Sequence, residues 1–371
     1  MDCKYFGICG GCTNYKIDYA QQAMLKLKSI QEQFQAEFQG GIEMYQSLSA
    51  HYRARAEFKI WHDGKDISYA MHQVQNKGYV SIDNCPLVVM PIYDLMKRLL
   101  KEIVRRDIKE KLFGVDFLSS SSGDMVISML YHRRLDDVWQ ERAKSMAKDL
   151  QINIIGRSKK QKIVIGLDYI IEHLHVNRRL YRYMQIENSF TQPNPRVNEK
   201  MIEWAVAQAK TISGDLLELY CGAGNFTIPF ADVFDKILAT EISKASISAA
   251  KENMRLNNVE NISFLRMSSQ ELVQALDGKR VFRRLQEIDI NGFSIHTVFV
   301  DPPRAGLDDE TIEFISRYKN IIYISCNPVT LKRDLQILCK RYKVISMAMF
   351  DQFAYTNHIE MGVRLELLPE V

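Results

Sequence analysis

The part of this chain best suited to covalent chemistry surrounds a cysteine. Residues 323–328 read Tyr-Ile-Ser-Cys-Asn-Pro, and an apolar run over 321–325 predicts a buried strand that ends just before Cys326. A thiol at the end of a strand can be accessible enough to act as a nucleophile, whereas packing cysteines lie more often inside elements. The position alone leaves a structural role for Cys326 equally open.

A glycine turn follows another predicted strand. Residues 215–226 read Asp-Leu-Leu-Glu-Leu-Tyr-Cys-Gly-Ala-Gly-Asn-Phe, and Glu241 ends the next strand 19 positions after Gly222. Glycines allow a tight turn close to a ligand, and an acidic residue at this spacing can accept from ribose hydroxyls. Asn225 and Phe226 stand where a dinucleotide site needs its third glycine, which favours S-adenosylmethionine. A structural turn with an incidental surface glutamate is the alternative.

Two carboxylates lie in segments that can bring them near the thiol. Asp301 opens the sequence Asp-Pro-Pro-Arg after a further predicted strand, and Glu360 ends a polar and aromatic stretch. A carboxylate beside a cysteine nucleophile can serve as general base. Amino-group methyltransferases have an aromatic residue after Asp/Asn-Pro-Pro, and Arg304 departs from that. Taken alone, Glu360 and His358 also fit ordinary surface positions.

Three of the seven cysteines crowd the first residues of the chain. Cys3, Cys9 and Cys12 are separated by five and two residues, with glycines between them, and Cys85 is the candidate fourth ligand. Thiolates at this spacing can share one metal centre. Zinc sites usually offer two close cysteine pairs, and here the fourth cysteine is solitary.

Composition and charge restrict the class of protein. The 371 residues are 46% hydrophobic and 25% charged, as in globular proteins, and the net charge is only +4. With no membrane-length apolar run and no export signal, we expect a soluble cytoplasmic protein without a disulfide framework. Basic clusters interleaved with Tyr and His suggest a nucleic-acid surface, although single clusters are usually solvated faces. They lie at residues 51–55, 105–106, 132–134, 159–162 and 178–182.

The predicted elements place each motif at a strand end. Helices are predicted over 18–38, 88–110 and 136–150, with strands at 54–62 and 125–131. After the prolines near 193–195, strands and helices alternate. Strands are expected at 215–220, 236–240, 262–266, 297–300, 321–325 and 343–350, and helices at 196–212, 226–233, 244–257, 309–318 and 329–341. Alternation predicts a doubly wound parallel sheet with ligands at the carboxyl ends of its strands.

Together these motifs resemble a known family. The sequences Ser-Phe-Thr-Gln-Pro-Asn, Leu-Glu-Leu-Tyr-Cys-Gly-x-Gly-Asn-Phe, Asp-Pro-Pro-Arg-x-Gly-Leu, Ser-Cys-Asn-Pro and Phe-Asp-Gln-Phe-x-Tyr-Thr-x-His-x-Glu are similar to those of the RNA 5-methyluridine methyltransferases. The resemblance covers about residues 45–365 and is greatest to the bacterial tRNA (uracil-5-)-methyltransferase branch, through residues 52–64 and 130–137. In the last motif, Ala354 replaces the usual Pro and Asn357 a usual His.

The resemblance implies an α/β fold, with a Rossmann-like S-adenosylmethionine-dependent methyltransferase domain and a mixed α+β central RNA-binding domain. The expected boundaries are 1–17 for a Cys-rich arm, 18–185 for the N-terminal and central RNA-binding part, and 186–371 for the catalytic domain. Cys326 would be the nucleophile and Glu360 the proton-abstracting base. The implied cofactor residues, with Gly222 from the turn, are Gln192, Tyr220, Asn225, Glu241 and Asp301.

The identity of the RNA is less sharply implied. The family's tRNA branch modifies uridine 54 of the T-loop, whereas the cysteine arm resembles the [4Fe-4S] site of members that act on 23S ribosomal RNA. A non-catalytic iron–sulfur RNA-binding protein is a third hypothesis and requires Cys326 and Glu360 to be idle. For the RNA surface we expect the central domain to use Arg53, Arg55, Phe58, Lys59, His132 and Arg133, although Phe58 also fits a core position.

Overall fold

The computed structural model describes residues 1–75, 77–286 and 288–369. Its α-helices are α1 (Tyr19–Phe34), α2 (Met90–Arg105), α3 (Asp137–Leu150), α4 (Pro195–Ala209), α5 (Thr227–Phe230), α6 (Lys244–Leu256), α7 (Ser269–Leu276), α8 (Asp309–Ile315) and α9 (Pro328–Leu338). In these described ranges, no helix combines the length and apolarity needed to cross a membrane.

The strands form two large sheets and one hairpin. They are β1 (Glu43–Tyr45), β2 (Arg55–Asp63), β3 (Asp66–His72), β4 (Tyr79–Ile82), β5 (Leu112–Ser119), β6 (Met125–Tyr131), β7 (Asn153–Ser158), β8 (Gln161–Ile165), β9 (Tyr169–Val176), β10 (Arg179–Ile186), β11 (Asp215–Leu219), β12 (Ile237–Thr240), β13 (Ile262–Leu265), β14 (Ile295–Val300), β15 (Asn320–Ser325), β16 (Tyr342–Phe350) and β17 (Glu360–Leu367).

The larger sheet has the order β1-β16-β17-β15-β14-β11-β12-β13. Strands β15, β14, β11, β12 and β13 run parallel, and β17 is inserted antiparallel between β15 and β16. Its central strands are mostly apolar and buried along their whole length, because helices cover both faces. The predicted Rossmann-like architecture is confirmed, whereas β17 was not predicted.

The segment between the arm and the central sheet joins this larger sheet. Strand β1 pairs with β16, and Ile30 and Phe34 of α1 pack into the same apolar core as β14 and β15. Residues 19–45 therefore lie with the larger sheet, although the sequence analysis grouped them with the central segment.

The central sheet has the order β4-β3-β2-β5-β6-β7-β8, with α2 and α3 packed on its apolar face. All neighbouring strands are antiparallel except β6 and β7. The hairpin of β9 and β10 packs instead on α4 and α6 of the catalytic layer. The central part is thus a mixed α+β unit, as expected.

Candidate active site

Cys326 lies in the two-residue connection between a strand and a helix. Strand β15 ends at Ser325, and helix α9 begins after its N-cap Asn327, whose side chain accepts from the Val329 N–H at 3.1 Å. Proline at residue 328 suits the first helical turn, where no intrahelical N–H bond is needed. The local sequence therefore stops the strand and holds Cys326 half-buried at the sheet edge.

The sheet register brings Glu360 next to this thiol. Ser325 of β15 pairs with Met361 of β17, so the next pair along the two strands sets Cys326 opposite Glu360. On the other side of β15, Val300 of β14 pairs with Tyr323, and Asp301 follows Val300 directly. Three segments distant in sequence thus meet at one edge of the sheet.

Burial raises the pKa of all three groups, and neighbouring negative charge adds to this effect at Glu360 and Cys326. Burial, followed by the charge of Asp301, raises the pKa of Glu360 to about 8. Burial also raises the pKa of Asp301 to about 7. For Cys326, burial and then the charges of Glu360 and Asp301 raise the thiol pKa to about 11, against a smaller opposing effect of Arg304. A carboxyl with a pKa near neutrality is suited to accept a proton during a reaction.

The loop from 351 to 359, which connects β16 to β17 and is called here the β16–β17 loop, is held by a buried ion pair. Lys26 of α1 donates to Asp351 at 2.7 Å and to the carbonyls of Phe353 and His358 at 3.2 Å each, with both charged side chains almost fully buried. No local sequence pattern indicates this role, because Lys26 looks like any lysine on an amphipathic helix. The pair fixes the loop immediately before Glu360.

The glycine turn lies at the same sheet edge as Cys326. Leu219 pairs with both Val300 and Thr240, so Tyr220, Asp301 and Glu241 follow three aligned strand ends. Gly222 has a φ of +56°, and a Cβ there would meet no atom within 4 Å, which leaves open space beside the backbone. An elongated nucleoside ligand fits such an uncovered turn.

Hydrogen bonds order the turn. Glu241 accepts from the Gly222 N–H at 3.1 Å and from the Ser243 N–H at 2.7 Å. Tyr220 shares a hydrogen bond of 2.8 Å with Ser269 Oγ, a partner that sequence reasoning missed. Glu241 is therefore an ordered acceptor, with lone pairs remaining for a ligand hydroxyl.

The remaining predicted cofactor residues lie at the start of α4. Asn225 exchanges amide hydrogen bonds with Asn198 at 2.8 and 2.9 Å, which ties the turn to this helix. Gln192 is half-buried two residues before Asn194, the N-cap of α4. The structure thus gathers the predicted cofactor residues around one helix start and three strand ends.

The predicted metal ligands share a cavity, but their thiols are not gathered closely enough there to coordinate one metal ion. Cys3, Cys9, Cys12 and Cys85 line one cavity of about 580 Å³ between the arm and the central sheet. Burial and the neighbouring thiols raise the pKa of Cys12 to about 12. Within the described ranges, no three His, Cys, Asp or Glu side chains stand close enough to hold a metal ion.

The predicted RNA residues fall into two places. Arg53 lies beside the active site, with its guanidinium 5.8 Å from the ring centre of Phe353, and Arg55 donates to the carbonyl of Ser189. Lys59 is exposed farther along β2. The prediction that Phe58 contacts RNA is wrong. Its side chain is only 5% exposed and packs on Tyr69 and Phe117 in the core. Side chains alternate between the two faces of β2, and Phe58 is on the face that is buried.

His132 and Arg133 belong to a separate basic cleft at the far end of the central sheet. Arg55 pairs with Leu118 at one end of β5, and Tyr131, which precedes His132, pairs with Leu112 at the other end. At the usual rise per residue of a strand, these two ends of β5 are roughly 20 Å apart. The cleft has a volume of about 730 Å³ and is lined on its basic side by His132, Arg133, Arg134, Arg157, Lys159 and Lys160.

Known proteins share this arrangement. The family model described as tRNA (Uracil-5-)-methyltransferase matches residues 18–368. The tRNA/tmRNA (uracil-C(5))-methyltransferases of Sulfurimonas denitrificans and of Nitratiruptor sp. are 56% and 51% identical, each covering 98% of this chain and 99% of the relative. In fold, the chain is similar to the Pyrococcus abyssi tRNA (uracil-54, C5)-methyltransferase solved with S-adenosyl-L-homocysteine, at a TM-score of 0.72 and 22% identity over 96% of this chain and 86% of that one. Because the family match spans both sheets and the whole candidate site, this chain belongs to the tRNA (uracil-5-)-methyltransferase family.

Proposed function

We propose that this chain transfers a methyl group from S-adenosylmethionine to carbon 5 of a uridine in tRNA, namely the T-loop uridine at position 54. The observation that carries the proposal is the register that sets Cys326 opposite Glu360, at the sheet edge that also holds the glycine turn. The names of its close relatives, tRNA/tmRNA (uracil-C(5))-methyltransferases, support the same substrate class.

The chemistry requires a thiol because C5 of uracil is too weak a nucleophile by itself. The Cys326 thiolate adds to C6 with its own electron pair, and the C5=C6 π pair then gives C5 the character of an enolate. S-Adenosylmethionine held at the glycine turn would supply the methyl group that C5 takes up, with S-adenosylhomocysteine as the leaving product. The thiol first gives its proton to solvent water, and burial, followed by the charges of Glu360 and Asp301, holds its pKa near 11.

Glu360 completes the reaction as general base. Its carboxylate takes the proton from C5, the freed electron pair restores the C5=C6 double bond, and the Cys326 sulfur leaves as a thiolate. A pKa raised to about 8 makes this carboxylate a much stronger base than a surface glutamate. Its placement across from Cys326 lets the two groups act on the same uracil ring.

The division of labour follows the two sheets. Residues 186–371 hold the donor through Gln192, Tyr220, Gly222, Asn225, Glu241 and Asp301. The central part within 18–185 binds RNA through Arg53 and Arg55 near the site, through Lys59 farther along β2, and through His132 and Arg133 at the distant cleft. The target base must leave its stack to reach Cys326, as chemistry on a base generally requires.

We also propose that the four cysteines of the arm cavity hold a [4Fe-4S] cluster, with zinc as the alternative metal. The shared cavity and the Gly11 N–H that points at Cys9 Sγ at 3.4 Å support it, since N–H bonds to sulfur are common around such clusters. The thiols would have to converge further on binding. The cluster would fasten the arm to the central sheet. Iron and acid-labile sulfide in anaerobically purified protein are the expected result, and stoichiometric zinc without iron would contradict it.

The decisive experiment for the main proposal measures tritium release from 5-tritiated uridine in a tRNA transcript and in a 23S ribosomal RNA fragment. We expect release from tRNA by the wild type and none by Cys326→Ser. Cys339→Ser is the matched control, because this cysteine ends α9 away from the sheet edge. Full activity of Cys326→Ser would overturn the mechanism. Tritium release only from the ribosomal fragment would show that the substrate is 23S ribosomal RNA and not tRNA.

A further inference from the structure

The cysteine-rich arm makes contacts that its proposed cluster does not explain. The backbone N–H groups of Thr13 and Asn14 both donate to the carbonyl of Tyr355, at 2.8 and 2.9 Å. The Asn14 side chain donates to Asn357 Oδ1 at 2.7 Å. The arm thus grips the tip of the β16–β17 loop, which leads into Glu360.

Apolar packing adds to the hydrogen bonds between the arm and the β16–β17 loop. The ring of Phe6 lies 5.7 Å from that of Tyr355, and Cys12 packs with Ala354 and Tyr355 in one small buried cluster. Tyr52, from the central part of the chain, donates to the carbonyl of Ala354 at 3.1 Å. The loop tip is therefore enclosed by the arm and the central part of the chain.

The loop tip needs such support. Tyr355 has a φ of +64°, in the left-handed region that a residue with a bulky side chain adopts only where its surroundings impose it. Two residues of this loop, Ala354 and Asn357, both contact the arm. The range matched by the family model begins at residue 18, after the arm.

We infer that the arm is a positioning element for Glu360, with Asn14 as its key positioning residue, and that proton removal from C5 depends on the arm being docked on the β16–β17 loop. When the arm is docked, the loop covers Glu360 and keeps it from water. When the arm is released, the loop relaxes and Glu360 becomes hydrated and misaligned. The inference rests on the proposed function, because it assigns the arm to one step of that reaction.

The reaction step that is lost in an arm variant distinguishes a misplaced Glu360 from a general loss of folding. Thiol addition and methyl transfer use Cys326 and the glycine turn, which the arm does not contact among the described residues. A loss confined to Glu360 therefore leaves RNA bound covalently to Cys326, because the sulfur cannot leave until the C5 proton is taken. A general loss of folding would instead lower adduct and product together.

The test compares Asn14→Ala, a deletion of residues 2–14 and the control Lys16→Ala with the wild type on a tRNA transcript. Lys16 is an exposed arm residue with no hydrogen bond or ion pair to the described part of the chain. We expect a roughly threefold larger fraction of denaturation-resistant adduct for Asn14→Ala, from the loss of one partly exposed hydrogen bond, and about tenfold or more for the deletion. Lys16→Ala is expected to match the wild type. Asn14→Ala retains every cysteine, so its result does not depend on a metal bound by the arm. If the deletion variant does not fold, the result for Asn14→Ala alone tests the inference.

Two further readouts separate the possible outcomes. The pH profile of product release should move to lower pH in the deletion, because a hydrated Glu360 is a weaker base. Hydrogen exchange in the RNA-free protein should be faster in residues 351–359 of both arm variants. Unchanged exchange, or adduct and product that fall in parallel, would overturn the inference. If the wild type does not methylate tRNA but hydrogen exchange in residues 351–359 is faster in the variants, the proposed function is refuted. The conclusion that the arm holds the β16–β17 loop would then still stand.

Discussion

Replacement of Glu360 by glutamine tests the electrostatics of the site most directly. Glu360 is 6% exposed, and its carboxyl lies at the sheet edge with Asp301. Burial and the charge of Asp301 raise its pKa from the ordinary 4.5 to about 8. Glutamine has nearly the same shape and cannot ionise. The variant therefore removes the charge and leaves the packing in place.

The sign follows from the direction of the pKa change. A carboxyl with a raised pKa in the folded state favours its neutral form, so its contribution to stability is complete below pH 4.5 and is lost as the pH rises to about 8. At about 1.4 kcal/mol for each tenfold change in proton affinity, ionisation costs the wild type up to about 4 kcal/mol at pH 8. Because Asp301 shares this cost, we expect Glu360→Gln to gain about 2–4 kcal/mol at pH 8 and little at pH 5.

Thermal unfolding at pH 5, 6.5 and 8 measures the effect. The variant should unfold roughly 5 °C above the wild type at pH 8 and at nearly the same temperature at pH 5. Glu366→Gln on the same strand, with a side chain 41% exposed, is the matched control and should show no such pH dependence. A Tm difference that is equal at pH 5 and pH 8 would refute the assignment. The same variant should also accumulate the covalent RNA adduct on a denaturing gel, because nothing takes the C5 proton.

Other perturbations probe the loop, the thiol and the RNA surface. Lys26→Met leaves the buried Asp351 without its cation and should cost about 3–5 kcal/mol, measured as a lower Tm, while addition of Asp351→Asn should recover much of it. The rate at which iodoacetamide alkylates Cys326, followed by peptide mass spectrometry, should rise with pH towards about 11, since only the thiolate reacts. Asp301→Asn should raise that rate at pH 8, and an unchanged rate would contradict the charge effect. Arg134→Ala in the basic cleft should weaken tRNA binding and lower the slope of log affinity against log salt by about 1, whereas an unchanged slope would remove the cleft from the RNA path.

Much of the site was predictable because its signals are local. The glycine turn, the strand that ends before Cys326 and the helix that begins after Asn327 depend on neighbouring residues, and the structure has them as predicted. The alternation of strands and helices likewise predicted the doubly wound sheet. Phe58 shows a local signal that was underused, since alternate residues of β2 face the core.

The meeting of Cys326 with Glu360 was decided only by the tertiary structure. Strand β17 lies antiparallel between β15 and β16. No local sequence pattern predicts between which two strands such a segment inserts. The contact of Asn14 with Asn357 spans 343 residues and depends on both sheets being in place.

The sequence by itself therefore indicated the candidate reacting groups and the candidate cofactor turn and predicted the fold class, because propensity and periodicity act over a few residues. The tertiary structure decided which strand ends adjoin, which carboxyl is buried and what holds the loop before Glu360. Burial and charge neighbours set the pKa of that carboxyl, and both depend on segments far apart in the chain.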